Sequence, residues 1–117
     1  MKNTILPNNL KKGDKIALIS TARKIDVEKL AYTKEVLNNW GLKVVEGKNL
    51  RAENNQFCGT DYQRSCDLQE AINDNSIQAI ICFRGGYGTV RILESVDFSN
   101  LIKNPKWICG YSDVTAL

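Results

Sequence analysis

The sequence predicts a doubly wound α/β fold, three layers deep around a mostly parallel sheet. Three observations predict it. Short apolar runs alternate with longer stretches of helical periodicity along the 117 residues. The runs are nearly free of polar residues, as strands covered on both faces of a parallel sheet must be. Turn formers punctuate the junctions: Gly41, the run Asn73-Asp74-Asn75-Ser76, and a glycine-rich loop after residue 83.

Taken in order, Lys15-Ile16-Ala17-Leu18-Ile19-Ser20 reads as the first buried strand. Asp26 is a natural N-cap for a helix reaching about Trp40. Val27, Leu30, Ala31, Leu37 and Trp40 recur there at helical spacing, and Gly41 stops the helix. Leu42 to Glu46 is the second strand, and the polar stretch from Gly47 to Gly59 a long loop. Thr60 or Asp61 caps the next helix, whose inner face carries Ser65, Leu68, Ala71 and Ile72. Gln78 to Phe83 is the clearest buried strand. A short helix over 89–93 follows, and Trp107-Ile108-Cys109 supplies a fourth buried strand. Strand-helix alternation of this kind implies right-handed crossovers.

Composition narrows the function. Hydrophobic residues at 43% and charged residues at 25% describe one ordinary folded domain. A net charge of +3, with basic residues scattered among acidic ones, gives no nucleic-acid surface. Residues 1–7 lack the apolar core of a signal peptide, and no run approaches the roughly 20 apolar residues of a membrane span. A cytoplasmic location without membrane attachment is therefore expected. The four cysteines (58, 66, 82 and 109) have no CxxC spacing, and the chain has no histidine. That disfavours zinc or any other metal site. Cys82 and Cys109 end apolar runs and are expected to be small buried hydrophobes, without a disulfide framework.

Function in open α/β sheets gathers at the carboxyl ends of strands, and two sequences sit there. Arg84-Gly85-Gly86-Tyr87-Gly88 follows the third strand. Its glycines suit a phosphate cradle, half of an oxyanion hole, or merely a tight turn. The spacing matches neither dinucleotide nor P-loop fingerprints. Gly110-Tyr111-Ser112-Asp113 follows the fourth strand. Ser112 there reads either as the serine of a nucleophile elbow or as an N-cap bonded to the amides of Val114 or Thr115. With Val114 two positions on, the GxSxG pattern is incomplete. Neighbouring strands would bring Ser112 and the Gly85-Gly86 amides to one pocket, as acyl transfer requires. Tyr87 and Tyr111 line that pocket or cover the sheet edge. Arg84 binds a substrate carboxylate or serves a structural ion pair. Lys11, Lys12, Arg23 and Lys24 read as solvated surface. A serine needs an adjacent base, most often histidine, and none is present. The expectation is the front part of a longer hydrolase.

Three strings occur in order: Phe57-Cys58-Gly59-Thr60-Asp61-Tyr62-Gln63-Arg64, Phe83-Arg84-Gly85-Gly86-Tyr87-Gly88, and Gly110-Tyr111-Ser112-Asp113-Val114-Thr115-Ala116-Leu117. With Leu10-Lys11-Lys12-Gly13-Asp14-Lys15-Ile16-Ala17 at the front, the sequence resembles the LD-carboxypeptidases along its whole length. These serine peptidases, also called muramoyltetrapeptide carboxypeptidases, have the microcin-immunity peptidases as relatives. The resemblance implies a flavodoxin- or Rossmann-like N-terminal domain over 1–117 and a Ser-Glu-His triad. It also implies release of a terminal D-amino acid from a murein peptide in cytoplasmic peptidoglycan recycling. Ser112 corresponds to the nucleophile, and the backbone N–H groups of Gly86 and Asp113 to the oxyanion hole. Arg84, Gly85 and Tyr87 are the expected substrate contacts. Glu and His would come from a C-terminal domain absent from this chain, a homodimer is left open, and no metal or organic cofactor is implied. Ser20-Thr21-Ala22-Arg23 stands where the family often has a proline and serines. The rival reading is a non-catalytic domain that binds an anion or nucleotide at its glycine loop and helix N-termini.

Overall fold

A computed structural model describes residues 6–85 and 87–110. Four strands, β1 (Lys15–Ile19), β2 (Lys43–Glu46), β3 (Ile77–Cys82) and β4 (Trp107–Cys109), form one parallel sheet in the order β2-β1-β3-β4. The helices are α1 (Val27–Asn39), α2 (Asp61–Asn73), a 3-10 helix (Thr89–Ser95) and the short α3 (Asn100–Lys103). From β1 the chain crosses one way to β2 and then back past β1 to β3. Crossovers of a single hand therefore put α1 and α2 on opposite faces.

The core divides accordingly. Ile16 and Leu18 of β1 point to the α1 side and meet Leu30, Leu37, Leu42 and Leu50. Ala17 and Ile19 point the other way and pack with Leu68, Ala71 and Ile72 of α2 and Ile92 of the 3-10 helix. In β3 the alternation is broken once. Lys15 pairs with Ile77 and Ile16 with Ala79, so Gln78 is an extra residue. Such a bulge resets the phase; Ile77, Ile80 and Cys82 share the α2 side, while Ala79 and Ile81 face α1.

The helix starts follow the expected capping chemistry. The Asp26 carboxylate accepts from the Glu28 amide at 3.0 Å. Thr60 makes a full capping box, accepting from the Gln63 amide at 3.1 Å while its own amide donates to the Gln63 side chain at 2.9 Å.

Several expectations need correction. Val27, Ala31 and Trp40, placed at helical spacing on the apolar face of the first helix, are exposed, and only Leu30 and Leu37 are buried there. Val27 opens the helix and Trp40 is its C-cap, so the buried stripe is narrower than the spacing suggests. Strand β4 is not buried: it is the last strand in the order, and only Ile108 turns toward the core. Cys109 is consequently exposed, whereas Cys82 is buried as expected. The 3-10 helix runs two residues past the expected end, and α3 is an element the sequence pattern did not reveal. None of the helices among the described residues is long and apolar enough to cross a membrane.

Lys106 fastens the end of the sheet opposite the glycine loop. Its buried ammonium donates to the carbonyls of Asp74 and Ile77, at 2.6 Å each, joining the exit of α2 to the starts of β3 and β4. Burial lowers its pKa, opposed by the nearby Asp74 charge. Lys106→Met should lower the unfolding free energy by about 1–3 kcal/mol, since two carbonyls lose their donor. Urea denaturation measures this, and an unchanged midpoint would show that water replaces the ammonium without cost.

Candidate active site

Strand β1 is the switch point: its two neighbours are reached by connections that leave in opposite directions. Loops after β1 and β3 therefore open into one crevice at the carboxyl end of the sheet. The Phe83 amide donates to the Ile19 carbonyl at 2.7 Å, carrying the ladder one residue beyond β3. The chain then turns through Arg84, Gly85, Tyr87 and Gly88 into the 3-10 helix. Gly88 lies at φ +151°, and a Cβ there would stand 2.8 Å from the Ala22 Cα. Only glycine allows this approach of the two loop backbones. Beside it the hydroxyls of Thr21 and Thr89 share a buried hydrogen bond of 2.8 Å.

A third segment, between β2 and α2, is strapped to the β1 loop. The Cys58 amide donates to the Ala22 carbonyl at 3.0 Å, and the Lys24 amide to Gln56 at 3.1 Å. Arg23, expected at the solvated surface, is half-buried because its backbone bridges to Phe57. Below these loops lies Arg64, whose side chain is fully buried. Its Nε donates to the Thr21 carbonyl at 3.1 Å, its Nη1 to the Gly59 carbonyl at 2.8 Å, and its Nη2 to the Asp61 carboxylate. The guanidinium carbon of Arg64 sits 4.7 Å from the Phe57 ring centre, and that of Arg91 4.9 Å. Arg91 in turn holds Asp61 through Nε (3.1 and 3.2 Å) and Nη2 (3.2 Å).

The expected substrate contacts divide between two sides of the crevice. Arg84 lies toward α1; its Nη1 donates to the Lys24 carbonyl at 3.0 Å, and it lines an open cleft of about 570 Å³ with Asp26, Lys29, Thr33 and Phe83. Tyr87 lies toward α2, its half-exposed ring 6.3 Å from that of Phe57. Gly85 between them is buried. Gly86, Tyr111, Ser112 and Asp113 lie outside the described residues. Sequence reasoning missed the roles of Arg64, Asp61, Arg91 and Phe57. The available signal was spacing: Arg64 falls in phase with Leu68, Ala71 and Ile72 on the inner face of α2.

With this geometry in view, the relatives are informative. A family model described as the LD-carboxypeptidase N-terminal domain matches residues 16–117. The chain belongs to the LD-carboxypeptidase family. A probable murein peptide carboxypeptidase of Bacillus subtilis is 40% identical over 111 residues, covering 95% of this chain and 35% of the relative. Among solved structures, an MccF-like protein from Bacillus anthracis superposes with a TM-score of 0.89 at 32% identity, over 97% of this chain and 35% of that one. The microcin C7 self-immunity protein MccF, in complex with aspartyl sulfamoyl adenosine, gives 0.87 at 31% identity with the same coverages. The chain thus spans about a third of the length of these relatives.

In this LD-carboxypeptidase domain the two buried cysteines, Cys58 and Cys82, are not poised as nucleophiles. Burial pushes the Cys58 thiol up to about 11, helped by the charge of Asp67, and burial likewise pushes Cys82 to about 11. A thiol so shifted is almost wholly protonated near neutral pH. Cys58 instead donates to the carbonyls of Asn49 and Leu50, at 3.2 Å each. For Asp61, partial burial acts upward, but hydrogen bonds from Arg91 and Arg64 outweigh it and hold the carboxyl below its ordinary value.

Two predictions follow from the loop junction. Gly88→Ala should destabilise by about 1–3 kcal/mol or more through strain and the Ala22 contact. Gly13→Ala is the comparison: it has a positive φ of +93° but open space around the Cβ, so it carries the backbone strain alone. Equal midpoints for the two variants in thermal denaturation would contradict the close approach. For Asp61, a depressed folded pKa means a stabilising contribution present above the unfolded value of about 3.9 and lost as pH falls through the folded value. Asp61→Asn should therefore be less stable than the parent at pH 7, with the difference shrinking as pH falls below about 4. Because Asp61 is 44% exposed, solvent screening keeps the contribution modest. A difference independent of pH, in denaturation curves from pH 7 to 2, would contradict the assignment.

Proposed function

We propose that this domain supplies the nucleophile and oxyanion hole of a serine carboxypeptidase that cleaves an L,D-amide, releasing the terminal D-amino acid of a murein tetrapeptide. The observation that carries the reading is the position of the glycine loop. It opens at the carboxyl end of β3, next to the β1 switch point, and β4 lies alongside with Cys109 level with Ile81. Gly110, the first residue of the GYSD sequence, directly follows β4. The name of the B. subtilis relative supports a murein peptide as substrate.

In this scheme the Ser112 hydroxyl attacks the carbonyl carbon of the scissile amide and gives its proton to a histidine oriented by a glutamate. Both lie outside these 117 residues, which contain no histidine. The N–H groups of Gly86 and Asp113 hold the oxyanion. The imidazolium then protonates the leaving amine, the D-amino acid departs, and water attacks the acyl-enzyme. Arg84 receives the substrate's terminal carboxylate with its planar fork, while Gly85 and Tyr87 contact the peptide. The scheme needs no metal or organic cofactor, and it suits a cytoplasmic enzyme of peptidoglycan recycling.

Ser112→Ala in the full-length protein should reduce kcat on an L,D-tetrapeptide by about 10⁴-fold or more and abolish labelling by a fluorophosphonate. The 117 residues alone should show no turnover near the 1–10 per second usual for intact enzymes. A Ser112→Ala protein within tenfold of the parent would refute serine catalysis. An unlabelled parent protein that binds anions at the glycine loop would favour a binding module.

A further inference from the structure

The geometry points to Arg91 as a positioning residue for the glycine loop, acting through Asp61 and Phe57. Its kinetic consequence rests on the peptidase reading above; the mechanical coupling does not.

Arg91 lies in the first turn after Gly88, and its amide donates to the Gly88 carbonyl at 3.2 Å. Its guanidinium engages both oxygens of Asp61 and lies on the Phe57 ring. Asp61 is a fixed anchor. It is the first residue of α2 behind the Thr60 cap, and it is bonded to Arg64, which the core encloses completely. Phe57 is fixed from below by the same arginine. Tyr87, one residue before Gly88, sets its ring against Phe57 in a tilted arrangement, centroids 6.3 Å apart. Arg91 and Tyr87 thus bracket Gly88 and rest on one aromatic platform.

The chemistry of the contact favours positioning over stability. Arg91 and Asp61 are each more than two-fifths exposed, and exposed ion pairs contribute little to global stability. A planar fork on a carboxylate instead fixes distance and orientation together, and a lysine cannot reproduce it or the stacking on Phe57. Small displacements of oxyanion donors cost rate steeply, on the order of 10²-fold for 1 Å. The pair therefore sets where the Tyr87–Gly88 backbone stands relative to the crevice.

The test uses Arg91→Gln and Arg91→Lys in the full-length protein, with two readouts. Amide relaxation should show the order parameters of Tyr87, Gly88 and Thr89 falling from roughly 0.85 toward 0.6 or lower, with β1 and β3 unchanged. Unchanged order parameters in both variants overturn the proposal. On an L,D-tetrapeptide, kcat per fluorophosphonate-titrated site should fall about 10- to 100-fold with KM within about threefold, and lysine should not rescue it. A raised KM at unchanged kcat would make Arg91 a substrate contact and also overturn the proposal. A loosened loop in a protein whose parent releases no amino acid would sink the peptidase reading and leave the coupling standing.

Discussion

A single buried guanidinium organises the functional end of this domain. Arg64 projects from the first turn of α2 and ties the loop after β1 at Thr21, 43 residues away, to the turn at Gly59 and the helix start at Asp61 beside it. Taking a full charge out of water is costly unless acceptors and an opposite charge replace the solvent. Here two carbonyls, one carboxylate and the Phe57 ring do so. The requirement works in reverse as well. Because the guanidinium must be satisfied, the loops that satisfy it have little freedom to sit elsewhere.

The rest of the crevice is layered on that anchor. Cys58 and Ala22 share a backbone hydrogen bond, and Gly88 closes against the same Ala22 from the other side. The β1 loop is thus held between the segment preceding α2 and the glycine loop. The doubly wound topology explains why they meet. Among the described strands, connections leave in opposite directions at β1, and there the loops part around an open crevice. The sheet therefore decides the place, the arginine network the geometry, and the glycines the closeness of approach.

Much of this was legible in the sequence because the elements obey simple periodicities. Strands β1 and β3 are largely apolar runs, interrupted in β3 only by Gln78, and Thr60 or Asp61 marks the start of the second helix. The order of elements follows from these alone. Other features escaped for physical reasons. Val27 and Trp40 keep helical spacing but stand at the two ends of α1 and are exposed, and periodicity by itself does not say how much of a helix face is covered. The exposure of Cys109 depends on the strand order, which local sequence does not encode. Arg64 was missed because arginine is ordinarily a surface residue. Its burial shows only when its phase with Leu68 is weighed above its charge. The string from Phe57 to Arg64 marks the family in sequence but does not show its purpose, since its partners Thr21 and Arg91 lie 43 and 27 residues from Arg64.

The proposed convergence of the glycine loop and Ser112 on one oxyanion site is tested most directly by a crystal structure of the full-length protein with Ser112 trapped by a phosphonate. A phosphonyl oxygen within about 2.7–3.1 Å of the amide nitrogens of both Gly86 and Asp113 is expected. A phosphonyl oxygen pointing to solvent, with the glycine loop turned away from the serine, would contradict it.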